Sequence, residues 1–177
     1  RLELEADDRD DATLPADGSN PLEGGTEAEG TRLPDGTFRR VGASGSISLA
    51  DYPGTPMVLN FFGSWCVPCR NEMPDFEDVH GELGDRVAFV GLAVRDEADS
   101  AAAFVEETGV TYDTALDDGS RLFTELDVLT MPTTFFVSAD GQVRGAHKGE
   151  LRAAKLRELI DRYAASPTRR WRTRSRP

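Results

Sequence analysis

A chain of 177 residues has room for one domain with a real core plus unstructured flanks, and a second domain is not expected. Its formal charge of −12 is uneven: residues 1–30 hold ten acids against two arginines, whereas the last nine residues hold five arginines and no acid. The body between them is mildly acidic, which argues against nucleic acid as a partner, and no stretch approaches the roughly 18–20 apolar residues of a membrane span.

Residues 1–35 are rich in Asp, Glu, Gly and Pro with few large apolar groups. They cannot bury enough surface to offset the ordering of their backbone, and read as an acidic disordered leader or tether. The domain is expected over 36–166, and a basic disordered tail over 167–177. Phe38 and Val41, then Ile47 and Leu49, flank Gly42–Gly45 and predict a small hairpin. Met57 to Phe62 is an apolar run broken only by Asn60, the pattern of a strand covered on both faces. A helix follows from about Pro68, which the first helical turn tolerates because its missing N–H would have no partner there. Cys69, Met73, Phe76, Val79 and Leu83 share one side of it.

Val87 to Val94 predicts a second buried strand, and Ala101 to Thr108 a second helix, with Glu97 and Asp99 suited to its positive end. Tyr112 to Leu116 reads as a short strand and Gly119 to Leu126 as a short helix. Thr133 to Val137 and Gln142 to His147 read as a hairpin about Ala139-Asp140-Gly141, and Leu151 to Ala164 as a last helix ended before Pro167. The order predicts an α/β fold, a mixed central sheet with helices on both faces and an N-terminal β-hairpin.

The two cysteines of the chain, Cys66 and Cys69, fall at the junction of the first long strand and its helix. Residues i and i+3 in a first helical turn lie within the separation a disulfide spans. Unpaired N–H groups and the positive helix end there favour a thiolate on Cys66, which makes it the expected nucleophile, with Cys69 one turn deeper as the resolving thiol. Other readings of the pair remain: a structural disulfide, idle thiols, or a metal site. Zinc needs four ligands, and only His80 and His147 could join, far apart and at no ligand spacing. Haem attachment needs a histidine where Arg70 stands. No metal or cofactor is expected.

Glu72 lies on the helix's core stripe one turn beyond Cys69. Burial would raise its pKa and let it relay the Cys69 proton; alternatively Pro74 rotates the stripe and Glu72 only caps or meets water. Met131-Pro132 directly precedes the TTFFV strand, where a cis bond would expose a backbone edge; the residues alone leave cis and trans open.

The segments ISLADYPG (47–54), VLNFFGSWCVPCRNEMP (58–74) and MPTTF (131–135) resemble the thioredoxin superfamily, and within it the TlpA/ResA-like thiol–disulfide oxidoreductases of the bacterial cell envelope. The resemblance covers roughly Leu33 to Ala165. It implies a thioredoxin fold, a redox disulfide between Cys66 and Cys69, Glu72 as the acidic group of the site, a cis Pro132 facing the disulfide, and substrate contacts from Trp65, Met131 and Pro132. It also implies an extracytoplasmic monomer, secreted or anchored, that reduces protein disulfides, among them those of apocytochrome c, with electrons from a membrane thiol transporter. Asn60, where cytosolic thioredoxin has an aspartate, favours this branch. Two alternatives stand beside the reductant: an oxidase that donates disulfides to exported proteins, and a redox-inert module that holds extended peptides. A peroxiredoxin places its nucleophile in a different local pattern.

Overall fold

The structure, a computed structural model, describes residues 30–164; the leader up to residue 29 and the arginine-rich tail lie outside the described residues. Strands β1 (Thr37–Arg40) and β2 (Ser46–Ser48) form the expected hairpin, with Phe38 opposite Ile47. Then come β3 (Met57–Phe62), α1 (Val67–Leu83), β4 (Ala88–Ala93), α2 (Ala98–Thr108), β5 (Asp113–Leu116), α3 (Arg121–Glu125), β6 (Thr133–Val137), β7 (Val143–Lys148) and α4 (Ala153–Leu159). A wider π turn continues α4 over Ile160–Ala164.

The seven strands make one mixed sheet in the order β2-β1-β5-β4-β3-β6-β7. β3, β4 and β5 run parallel, linked by crossovers through α1 and α2, whereas β6 is antiparallel to β3 and β7 to β6. Alternation along β3 sends Val58 and Phe62 to one face and Met57, Leu59 and Phe61 to the other. The first face packs Met73, Phe76 and Val79 of α1, Phe104 of α2 and Leu156 of α4. The second is covered by Leu122 and Phe123 of α3 together with Leu33, Phe38 and Ile47.

Three element boundaries differ from expectation, each for a local reason. α2 starts a turn early, with Glu97 in its extended N-cap position, and ends at Gly109, whose φ of +73° suits a residue without Cβ. The short helix near 119–126 splits into a 3₁₀ turn and α3, because Gly119 and Ser120 both have positive φ; the Asp117 carboxylate then accepts from the Leu122 and Phe123 amides. α4 starts at Ala153, not at Leu151, since the Leu151 amide donates to Glu72 and the Ala153 amide to Asp75, both on α1.

Residues 30–35, read from sequence as part of the leader, pack against the sheet. Arg32 bridges antiparallel to Gln142, Gly30 and Leu33 amides donate to Val143 and Gly141 carbonyls, and Leu33 is buried. One apolar side chain and three backbone bonds suffice to lay this strap along the second face.

Candidate active site

Cys66 is the N-cap of α1, with extended backbone (φ −96°, ψ 104°), and its Sγ accepts from the Cys69 amide at 3.3 Å. Val67 and Pro68 complete the first turn. The two cysteines are joined as a disulfide with Cα atoms 5.3 Å apart. Cys66 is 4% exposed, and Cys69, on the core face, is wholly buried. Cys66, the less buried of the two, therefore sits where unpaired amides and the helix dipole favour negative charge.

The segment before Cys66 is held from three sides. Asp96, in the loop after β4, accepts from the Ser64 amide at 2.6 Å and from the Ser64 hydroxyl at 2.7 Å. Arg70 donates to the Ser64 carbonyl, pairs with Glu107 and lies 4.9 Å over the Phe104 ring, which stacks on Phe62. Trp65 is half exposed, yet its indole N–H donates to the carbonyls of Val94 and Arg95. A side chain at Gly63 would place its Cβ 2.6 Å from that indole nitrogen, so glycine is required for the ring to fold back.

Glu72 is fully buried one turn below Cys69. Its Oε1 accepts from Asn60 Nδ2 at 2.9 Å and its Oε2 from the Leu151 amide at 2.9 Å; the same Asn60 Nδ2 also donates to Thr134 Oγ1 at 3.1 Å. Burial pushes the Glu72 carboxyl up to about 8, against the Asn60 and Leu151 hydrogen bonds, which favour its charged form, while the charges of Glu150 and Asp75 add to the rise. Asn60→Ala removes one of the two bonds that favour the carboxylate. The titration of Glu72 itself should then move upward, a shift read from its carboxyl carbon by NMR across a pH series.

The Met131–Pro132 peptide is cis. Thr133 pairs with Phe61 in the β3–β6 ladder, so Pro132 stands at the end of the sheet where β3 leads into Cys66. Met131 packs against both faces of the core, and its neighbour Leu129 is exposed. Among the described residues the exposed large apolar side chains are Trp65, Val67 and Leu129, all flanking these two segments. No group of three His, Cys, Asp or Glu side chains suited to a metal occurs among the described residues.

Cys66, Cys69, Glu72, Trp65, Met131 and Pro132, the six residues the sequence singles out, lie at this end of the sheet or on the first turns of α1. Asp96, Ser64 and the Leu151 amide carry no such signal, because their partners lie 32 to 79 residues away and leave no local pattern.

Residues 27–146 match the family model described as the AhpC/TSA family. Over 115 residues the chain is 31% identical to the thiol-disulfide oxidoreductase ResA of Bacillus thuringiensis subsp. konkukian, covering 64% of this chain and 66% of that protein. A DsbF homologue from Corynebacterium diphtheriae superposes with a TM-score of 0.68 at 30% identity, over 84% of this chain and 96% of the other. A secreted disulfide oxidoreductase of Mycobacterium tuberculosis, described as homologous to E. coli DsbE, superposes with a TM-score of 0.62 at 25% identity, over 72% and 92%.

Proposed function

We propose, on the premise that the chain belongs to the AhpC/TSA family, has the thioredoxin fold and works as a thiol–disulfide oxidoreductase, that it reduces protein disulfides outside the cytoplasm through Cys66 and Cys69. The observation that carries this is the closed Cys66–Cys69 ring at the N-terminus of α1, with Cys66 slightly exposed and Cys69 wholly buried.

In the reduced protein the Cys66 thiolate attacks one sulfur of a substrate disulfide. A mixed disulfide forms, and the other substrate sulfur leaves as a thiolate that takes up a proton. Cys69 then gives up its proton to Glu72 and attacks Cys66 Sγ; this closes the ring and expels the second substrate thiol. Two electrons pass to the substrate, and two protein thiols become one disulfide. A dithiol donor, a membrane thiol transporter, restores the reduced state by the reverse exchange. Trp65, Met131 and Pro132 flank the attacked bond on the substrate side.

The secreted M. tuberculosis relative supports an extracytoplasmic setting, and the reductant direction rests on the TlpA/ResA resemblance. The haem-binding cysteines of apocytochrome c are the substrate that the TlpA/ResA resemblance points to. Cys69→Ser tests the order of attack, because it removes the resolving thiol and should accumulate a mixed disulfide through Cys66 that gel electrophoresis without reductant detects. A trap that forms with Cys66→Ser and not with Cys69→Ser would reverse the two roles. A measured midpoint potential separates reductant from oxidase, and failure to reduce insulin would favour the redox-inert module.

A further inference from the structure

We propose that Asp96 is a positioning residue for Cys66, one that biases the couple toward the closed disulfide and so makes the protein a stronger reductant. The inference rests on the oxidoreductase reading above and concerns how its strength is set.

Asp96 lies 30 residues from the nucleophile in sequence, yet both carboxylate oxygens grip Ser64, the second residue before Cys66. Among the described residues its partners are the Ser64 amide and hydroxyl and the Glu97 amide. The residue before it, Arg95, has a left-handed backbone (φ 50°), an unfavourable conformation for a side chain of its size. That turn aims the Arg95 carbonyl at the Trp65 indole and leaves Asp96 facing Ser64. The Arg95 guanidinium, 5.3 Å over the Phe123 ring, helps to keep the turn in place. One loop thus fixes two successive residues of the segment that delivers Cys66 to its helix.

Two consequences point the same way. When the ring is open, the clamp keeps the chain entering Cys66 in the arrangement that closes it, which raises the effective concentration of one sulfur at the other. The carboxylate also holds a negative charge against Ser64, two residues before Cys66, which works against the helix dipole and disfavours the thiolate. The charged groups around this segment are Asp96 and Glu97 on the loop, Arg95 turned toward Phe123, and Arg70, which reaches the Ser64 carbonyl while paired with Glu107. Among the described residues no cation is paired with Asp96 itself. Both effects favour disulfide over dithiol.

The test is equilibration of wild type, Asp96→Asn and Asp96→Ala with glutathione buffers, in which protein dithiol and oxidised glutathione give protein disulfide and two reduced glutathiones. Asparagine keeps an acceptor and a donor for Ser64 and removes the charge; alanine removes both. The constant for disulfide formation should fall about tenfold for alanine, a rise of about 30 mV in potential, and about threefold for asparagine. The pH profile of Cys66 alkylation should move to lower pH in both. Constants within twofold of wild type in folded Asp96→Ala would overturn the proposal, and if alanine prevents folding, asparagine decides by the same criterion. A wild-type disulfide that never exchanges with glutathione would sink the oxidoreductase reading itself, an outcome separate from a normal wild type with unchanged variants.

Discussion

Glu72→Gln should give a protein that is more stable and an enzyme that is slower. The carboxyl is held at about 8 by burial, against an ordinary 4.5 in the unfolded chain, so the folded state binds its proton more tightly than the unfolded state. Below pH 4.5 both states are protonated and the residue costs nothing on this account. Between 4.5 and 8 the unfolded chain releases the proton and the folded one keeps it, so stability falls as pH rises. The accumulated cost is roughly 3 kcal/mol at pH 7 and nears 5 above pH 8, at 1.36 kcal/mol per pH unit. Glutamine is neutral at every pH. Its carbonyl can accept from the Leu151 amide, and its amide can donate to Asn60 Oδ1, a buried atom with no hydrogen-bond partner at present, once the Asn60 amide turns over. Urea unfolding at pH 4.5 and pH 8 should show a gain for the variant at the higher pH and little at the lower. In single-turnover kinetics the resolution of a Cys66 mixed disulfide should slow by about 10²–10⁴-fold, the range lost with a general base, and lose its dependence on a group near pH 8. An unchanged profile would leave Glu72 a buried carboxyl without a part in proton transfer.

Phe62→Ala is expected to be the most damaging single change outside the cysteines. The ring is fully buried at the end of β3, stacked on Phe104 at 5.7 Å with 13° between planes, and Phe104 in turn supports the Arg70 guanidinium. Truncation of a packed phenylalanine costs ~3–5 kcal/mol through lost transfer energy and the cavity left behind, and the midpoint of thermal unfolding should drop by on the order of 10 °C. The loss does not stop at the core. With Phe104 free to shift, Arg70 loses its platform and its grip on the Ser64 carbonyl weakens, so disulfide exchange should slow even where the variant is fully folded. Phe136→Ala is the control: it is equally buried but its ring packs on Tyr163, away from the segment that enters Cys66. It should lose comparable stability and keep the exchange rate of the folded protein.

Much of this site could be read from residue order because its parts are local. A six-residue apolar run, a helix stripe at steps of three and four, and two cysteines at the junction place β3, α1 and the disulfide with no long-range information. Glu72 was legible for the same reason, since counting from Cys69 puts it on the buried side. What escaped was held together across the sheet. Asn60 looked like a polar interruption of a strand, and only the folded chain shows it bonding Glu72 and Thr134 at once. Asp96 is one aspartate in a loop full of acids. Leu33 is one leucine beside a long polar stretch, too weak a signal to extend the domain to residue 30.

The strap and α4 share a consequence for how the molecule is presented. β7 runs in the same direction as β3, so the Arg32–Gln142 bridge lies by the start of β3, the pole of the sheet away from Cys66. α4 begins beside Glu72 and returns to that far pole, where Ile160 and Asp161 line a cleft with Pro56, Leu83 and Val87. Both ends of the described chain therefore depart from one pole while the disulfide occupies the other. A surface joined to either end would meet the domain from behind, leaving the reactive pole turned outward and unshaded, and any pull transmitted along the chain would load the strap and α4 before it reached Cys66.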